Sequence, residues 1–227
     1  MKGVALDIFP DLTFVDVTHE IPPQDIGHAA FVLGSAYPYF PPDAIHLAVV
    51  DPGVGTQRRA VLLVTPEGRF VGPDNGIFSY ALKDHLTLDK IQFESMEFAQ
   101  PVTIPIPSGC RAYELTNPRY WHHPVSSTFH GRDVFAPVAA HLASGVQPES
   151  FGESLREVNM QNLFTLKRIE DTVEGKIIHV DRFGNLVSNA CYPGIERLDQ
   201  AESTRVTREH FERVAGVEAI HAPRRNQ

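Results

Sequence analysis

Three polar clusters interrupt otherwise apolar stretches of this sequence, and each joins residue types that can bind or activate a small molecule. The first is Asp51-Pro52-Gly53-Val54-Gly55-Thr56-Gln57-Arg58-Arg59: a carboxylate at the end of an apolar run, a glycine loop, then two guanidinium groups. In an open α/β sheet the carboxyl end of a strand is where ligands bind. The same residues also suit a tight turn with Asp51 bonded to backbone amides and an exposed arginine pair. The second is Ser126-Ser127-Thr128-Phe129-His130-Gly131-Arg132-Asp133, just before a helical pattern. A helix N-terminus beside His130 disfavours the imidazolium and keeps a neutral base available; a capping loop with a solvated histidine fits as well. The third is Val180-Asp181-Arg182-Phe183-Gly184-Asn185-Leu186-Val187-Ser188-Asn189. There Phe183 can stack on a base, Asn185 read its edge and Asp181 hold an ammonium group, or all of them can belong to a hairpin turn.

Other chemistries find less support. His19, His28, His46, His122, His123 and His130 include no pair at helical i, i+4 spacing with an acid, as a hydrolytic zinc site requires, so no metal is expected. Gly53-x-Gly55 is too short for a dinucleotide fingerprint, and no Gly-Lys-Ser or Gly-Lys-Thr phosphate loop occurs.

The elements that must position these clusters follow from periodicity. His46 to Val50 is a nearly continuous apolar run stopped by Asp51-Pro52, the pattern of a strand buried on both faces of a parallel sheet. Ala60 to Thr65, the turn Pro66-Glu67-Gly68 and Arg69 to Val71 predict a hairpin. Asp25 can cap a helix whose inner face is Ile26, Ala29, Ala30, Leu33 and Tyr37. A second helix follows Asp74-Asn75-Gly76, with Ile77, Tyr80 and Ala81 inward. Asp133 is expected to cap a third that carries Val134, Val138, Ala139 and Leu142, tolerates Pro137 near its first turn and stops at Gly145. The alternation predicts an α/β fold, with a largely parallel central sheet in an N-terminal domain over residues 1–158. Val158 to Arg168 reads as a polar connection. Lys176 to Val180 reads as a strand with Gly184 in the turn beyond it, in a smaller, mostly β C-terminal domain over residues 169–227. At the ends, Lys2 to Ile8 reads as the end of a helix or the start of a strand, and the tail from Ala201 is polar and expected to fray.

Composition narrows the partners. With 227 residues, 42% of them hydrophobic, the chain can bury a real core. A formal net charge of -8 argues against nucleic acid, whose phosphates need clustered Lys and Arg, and favours a small-molecule ligand. No apolar stretch is long enough to cross a bilayer and the N-terminus lacks a basic-then-apolar leader, so a cytoplasmic protein without membrane partners is expected. Cys110 and Cys191 show no paired spacing and are expected to be reduced packing residues.

Five ordered motifs resemble the S-adenosylmethionine hydrolases, the hydroxide adenosyltransferases related to bacterial fluorinase and chlorinase. They are Asp51 to Arg59, Phe70 to Gly76 (FVGPDNG), Glu114 to Trp121 (ELTNPRYW), Ser126 to Pro137 (SSTFHGRDVFAP) and Val180 to Asn189 (VDRFGNLVSN). The resemblance implies a homotrimer of two-domain subunits, with S-adenosyl-L-methionine bound between the large domain of one subunit and the small domain of its neighbour, and no cofactor. It implies a water-activating trio of Asp51, Arg58 and His130, with Asp181 near the methionine ammonium and Phe183 and Asn185 near the adenine. Its substrate is a sulfonium, so methionine leaves as a neutral thioether and only the nucleophile needs help. Halide-using relatives replace the trio, so its presence argues for water over chloride or fluoride. Members normally begin with a further strand and a Thr-Asp-Phe-Gly segment that grips the ribose diol, and end in a motif that holds the methionine carboxylate. This chain starts after the first and lacks the second in Ala201 to Gln227, which implies a fragment or degenerate copy with impaired catalysis. A non-catalytic ligand-binding chain is the reading from a different class, and turnover separates the two.

Overall fold

The computed structural model describes residues 1–86, 101–164, 167–169, 172–181, 183–189 and 205–206. These divide into two compact units that part between Asn162 and Leu163.

The first unit opens with helix α1 (Lys2–Ile8), which resolves the ambiguity of that segment in favour of a helix. Helix α2 (Ile26–Ala36) starts where its cap predicts, because the Asp25 carboxylate accepts the His28 N–H at 2.9 Å and Ala29 and Ala30 are buried beneath it. Strand β1 (Ile45–Leu47) follows, then β2 (Ala60–Thr65) and β3 (Gly68–Pro73). Only Pro66 and Glu67 separate β2 from β3, too few residues for a crossover, so the two pair antiparallel with Thr65 opposite Gly68. Helix α3 (Ser79–Lys83) is short and buries Ala81 and Leu82. Strands β4 (Pro101–Pro105) and β5 (Arg111–Glu114) come next, then a π-helical turn over Gly131–Phe135 that runs into α4 (Ala136–Ala143). The unit ends in β6 (Glu157–Gln161), which pairs with β4 in a separate two-stranded sheet.

The main sheet has the order β1-β3-β2-β5 and is mixed, which corrects the largely parallel sheet expected from the sequence. β1 and β3 run parallel, whereas β3 with β2 and β2 with β5 run antiparallel. β1 lies at the edge of this sheet, is shorter than the apolar run suggests, and exposes part of Ile45 and Leu47. Beyond it Ala48 still donates to the Val71 carbonyl at 3.1 Å, so the chain continues alongside β3 for at least one more residue.

The core lies between the sheet and the α4 segment, where Leu62, Val71, Tyr113 and Leu115 meet Val134, Phe135, Val138 and Leu142. Each fully buried Leu or Phe contributes about 1.5–3 kcal/mol, so this layer fixes where the turn ahead of α4 sits. α1 packs along α4. Ala140 is buried, while Ala139 packs against the core only in part.

Two further expectations are corrected. Asp133 does not cap the third helix: the helical turn begins earlier, and the buried Asp133 carboxylate instead accepts the Ser126 N–H at 2.8 Å and Arg132 Nε at 2.6 Å. The polar connection expected over Val158 to Arg168 is not one at its start, because Val158 to Gln161 lie in β6 and Val158, Met160 and Gln161 are buried.

In the second unit, β7 (Lys167–Ile169) pairs antiparallel with β8 (Thr172–Gly175), and β9 (Ile177–Val180) pairs antiparallel with β10 (Leu186–Ser188). The tail expectation and that for Cys191 fall, apart from Arg205 and Val206, outside the described residues. Cys110 is free and buried, and burial pushes its thiol up to about 11. No helix among the described residues is long and apolar enough to cross a membrane.

Candidate active site

Asp51 stands just beyond β1, where the chain leaves the sheet. The following loop turns back on itself through Val54 N–H to Asp51 O at 3.2 Å and Thr56 N–H to Gly53 O at 3.1 Å. The Thr56 hydroxyl donates to Gly53 O at 2.7 Å and tightens the turn. The loop returns Arg58 to the residue from which it started: Arg58 Nε lies 2.9 Å from both carboxylate oxygens of Asp51, and Nη2 also donates to Oδ2. Both side chains are largely withdrawn from water, at 11% exposure for Arg58 and 6% for Asp51. The guanidinium carbon lies over the Phe135 ring, 5.1 Å from its centroid, so a core aromatic backs the ion pair.

His130 arrives from the other side, immediately before the π-helical turn, and its Nδ1 lies 3.0 Å from Arg58 Nη2. A guanidinium has no acceptor, so this contact requires an unprotonated Nδ1 and places the ring proton on Nε2. Burial lowers the His130 pKa below 6.5, Arg58 lowers it further, and Asp51 and Asp133 pull in the opposite direction. A neutral imidazole beside a cation and a buried carboxylate can accept a proton from water while the guanidinium steadies the resulting anion.

The loops carrying Arg58 and His130 meet at Gly55. It has φ +77, and a Cβ there would stand 2.5 Å from the Ser127 carbonyl oxygen. Glycine is needed on both counts.

A groove of about 410 Å³ opens beside Asp51, with Ile21, Pro22, Val50 and Val54 among its apolar walls and Gln24 as a further polar lining residue. Gln24 has φ +68 and sits in the turn closed by Asp25 N–H to Pro22 O at 3.1 Å. That conformation is uncommon for a residue with a Cβ. Pro22-Pro23-Gln24-Asp25 carries a turn signal, and residue type alone does not mark Gln24 as lining a groove.

The remaining site residues lie in the second unit. Asp181 Oδ1 accepts the N–H groups of Phe183 and Asn185 at 2.8 and 2.9 Å, and Oδ2 accepts Asn185 Nδ2 at 2.6 Å. The segment is therefore a hairpin turn between β9 and β10, organised by Asp181, with Phe183 presented at 83% exposure. The Asn185 amide is the leading cause that holds the Asp181 carboxyl below its ordinary range.

The other histidines are dispersed. His46 is buried among Tyr37, Phe40 and Phe70, and His19 pairs with Asp16 at 3.2 Å on the surface. Among the described residues no group of three His, Cys, Asp or Glu side chains is placed to hold a metal.

A family model described as the SAM hydroxide adenosyltransferase N-terminal domain matches residues 1–152. The chain is 41% identical to an (R)-S-adenosyl-L-methionine hydrolase of Thermus thermophilus, covering 83% of this chain and 67% of the relative. It is 40% identical to a protein of the same name from Salinispora tropica, over 93% and 73% of the two chains. An uncharacterized conserved protein from Thermotoga maritima shares the fold at a TM-score of 0.67 and 34% identity, with 83% of this chain and 64% of that one covered. The chain thus spans about two thirds of the length of these proteins.

Proposed function

The chain belongs to the SAM hydroxide adenosyltransferase family, and from that premise we propose that it hydrolyses S-adenosyl-L-methionine to adenosine and L-methionine. The observation that carries this reading is the contact of Arg58 with both Asp51 and His130, with Asp51 lining a groove. Asp51 orients the guanidinium, Arg58 favours a hydroxide-like nucleophile electrostatically, and His130 takes the proton. The oxygen of water attacks C5′ of the ribose in line and the C5′–S bond breaks. Its electron pair stays on sulfur, and the proton of the attacking water passes through His130 to solvent. Proton uptake at Nδ1 displaces a single bond from Arg58 and leaves the contacts with Asp51 in place. Because the leaving thioether is neutral, the step needs no general acid, no metal and no cofactor. A hydroxide-like anion meets a sulfonium cation, so charge disappears along the path and exclusion of water on substrate binding favours the step.

In this reading Asp181, Phe183 and Asn185 bind the methionine ammonium and the adenine, supported by the exposure of Phe183 and the pre-set turn beside it. The working assembly is a homotrimer that completes each site between subunits, and the chain acts in the cytoplasm. Incubating purified protein with S-adenosyl-L-methionine and following products by chromatography tests the reading. Adenosine and methionine in equal amounts are expected. A 5′-halo-5′-deoxyadenosine formed in chloride or fluoride, or no product at all, would overturn it.

A further inference from the structure

Two adjacent arginines follow the glycine loop, and nothing in Arg58-Arg59 as a dipeptide decides which of them enters the active site. Arg59 is fastened elsewhere. Its Nε lies 2.8 Å from Asp74 Oδ2 and its Nη2 2.6 Å from the same oxygen, while its carbonyl accepts the Asp74 N–H at 2.9 Å. Asp74 is itself anchored from β6, where the Asn159 N–H donates to Oδ1 at 2.8 Å and Asn159 Nδ2 donates to the Asp74 carbonyl at 2.9 Å. Arg58 and Arg59 lead into β2, along which successive side chains alternate in direction, so holding Arg59 toward Asp74 sends Arg58 the opposite way. The next residue holds the other partner. Asn75 Nδ2 donates to the Val50 carbonyl at 2.8 Å, and Val50 is the chain neighbour of Asp51. The Asn75 side-chain oxygen accepts the Ile77 N–H at 3.2 Å, which fixes the amide so that its donor faces Val50.

We propose that Asp74-Asn75 is the positioning element of the trio: Asp74 holds Arg59 and Asn75 holds Val50, so that Arg58 and Asp51 meet each other and His130. This inference rests on the catalytic reading above and adds residues that touch none of the reacting atoms. Asp74 is only 4% exposed, and an ionised carboxylate kept that deep is a costly way to gain stability. Its cost is offset by Arg59 and the Asn159 N–H, and the same contacts fix the direction of the residue before Arg59. The hydrogen bond from Asn75 lands on the carbonyl just before Asp51 and adds to the Val54 N–H and Arg58 contacts that fix its direction.

Asn75→Ser tests this, because serine keeps an oxygen for the Ile77 N–H and is too short to reach Val50. Three quantities are read: kcat and KM for S-adenosyl-L-methionine, thermal midpoint, and the titration of His130 by NMR in ligand-free protein labelled at histidine. The charges facing His130 are Arg58, Asp51 and Asp133, so its titration reports how closely Arg58 is held. We expect kcat to fall by about tenfold or more, as a displacement of about 1 Å can cause, with KM changing far less. The His130 pKa should rise toward the value it takes in Arg58→Ala. Asp74→Asn is the second variant: it keeps an acceptor for the Asn159 N–H, weakens the hold on Arg59 and should move His130 in the same direction. If Arg58→Ala shifts His130 while both folded variants titrate as the wild type and keep full kcat, the positioning role is wrong and the trio stands. If the wild type makes no adenosine, the catalytic reading falls, and the titration still decides whether Asp74-Asn75 holds Arg58 in place.

Discussion

Replacing Arg58 by lysine separates charge from shape at the proposed site. Arginine engages Asp51 through Nε and Nη2 and His130 through Nη2 at once, with Cζ over the Phe135 ring. Lysine keeps the positive charge but offers one nitrogen on a flexible stem, so it can serve Asp51 or His130 and not both in this geometry. The variant thus loses at least one charge-assisted hydrogen bond, worth about 1.5–3 kcal/mol, in a setting where water cannot replace it. Where that bond positions the nucleophile, the loss lowers kcat by about tenfold to a hundredfold. Adenosine release at saturating S-adenosyl-L-methionine measures this, with adenosine affinity by titration calorimetry as the control for binding. Affinity should hold. Turnover within twofold of the wild type would show that a point charge suffices, and the argument from the guanidinium fork would fail. Arg58→Ala goes further, because it leaves the Asp51 carboxylate buried without its cation. It should cost about 3–5 kcal/mol in a urea titration as well as turnover.

His130→Ala should lower turnover by about a hundredfold or more with adenosine binding retained, read by the same product assay. In the wild type kcat/KM should lose activity only below pH 6.5, since the lowered pKa keeps His130 neutral above it; an acid limb above that value would contradict the assignment. Gly55→Ala forces a left-handed backbone on a residue with a Cβ and drives it into the Ser127 carbonyl, so kcat should fall and the thermal midpoint drop. His46 is buried with Nε2 lacking a partner among the described residues, and burial lowers its pKa from 6.5. The unfolded chain therefore binds the extra proton, and stability should decline as pH falls from about 6.5 toward the lower folded value. His46→Phe, placed against Phe70, should flatten that decline in urea midpoints measured across the range.

The elements most legible in the sequence were those whose signal is local. The cap at Asp25 and the Pro66-Glu67 turn each act within a few residues, and α2 and the β2–β3 hairpin form where those signals lie. Sheet polarity was not legible, because the pairing of β1 with β3 and of β2 with β5 joins segments far apart in the chain. β6 carried a readable alternation of Val158 and Met160 with polar residues. Its polar neighbours, however, include Asn159, which binds Asp74, and a polar residue with a buried partner looks in sequence like one in a loop. Asp133 misled for the same reason. An acid ahead of an apolar helical pattern looks like a cap until a distant amide, here Ser126 N–H, and the adjacent Arg132 prove to be its partners.

For the site, residue type was legible and selection was not. Asp51 and Arg58 are separated by a loop whose glycines announce a turn, so their meeting is a short-range consequence of the sequence. His130 joins them from a distant part of the chain, on a turn that Phe135 ties to the core. Between Arg58 and Arg59 the choice lies with Asp74, and Asp74 owes its own position to β6, the strand that composition disguised. The discriminating information therefore sits in residues with no chemistry of their own to advertise. An arginine enters the site when its neighbour is claimed elsewhere, and the neighbour's partner, more than the arginine pair itself, is what identifies it.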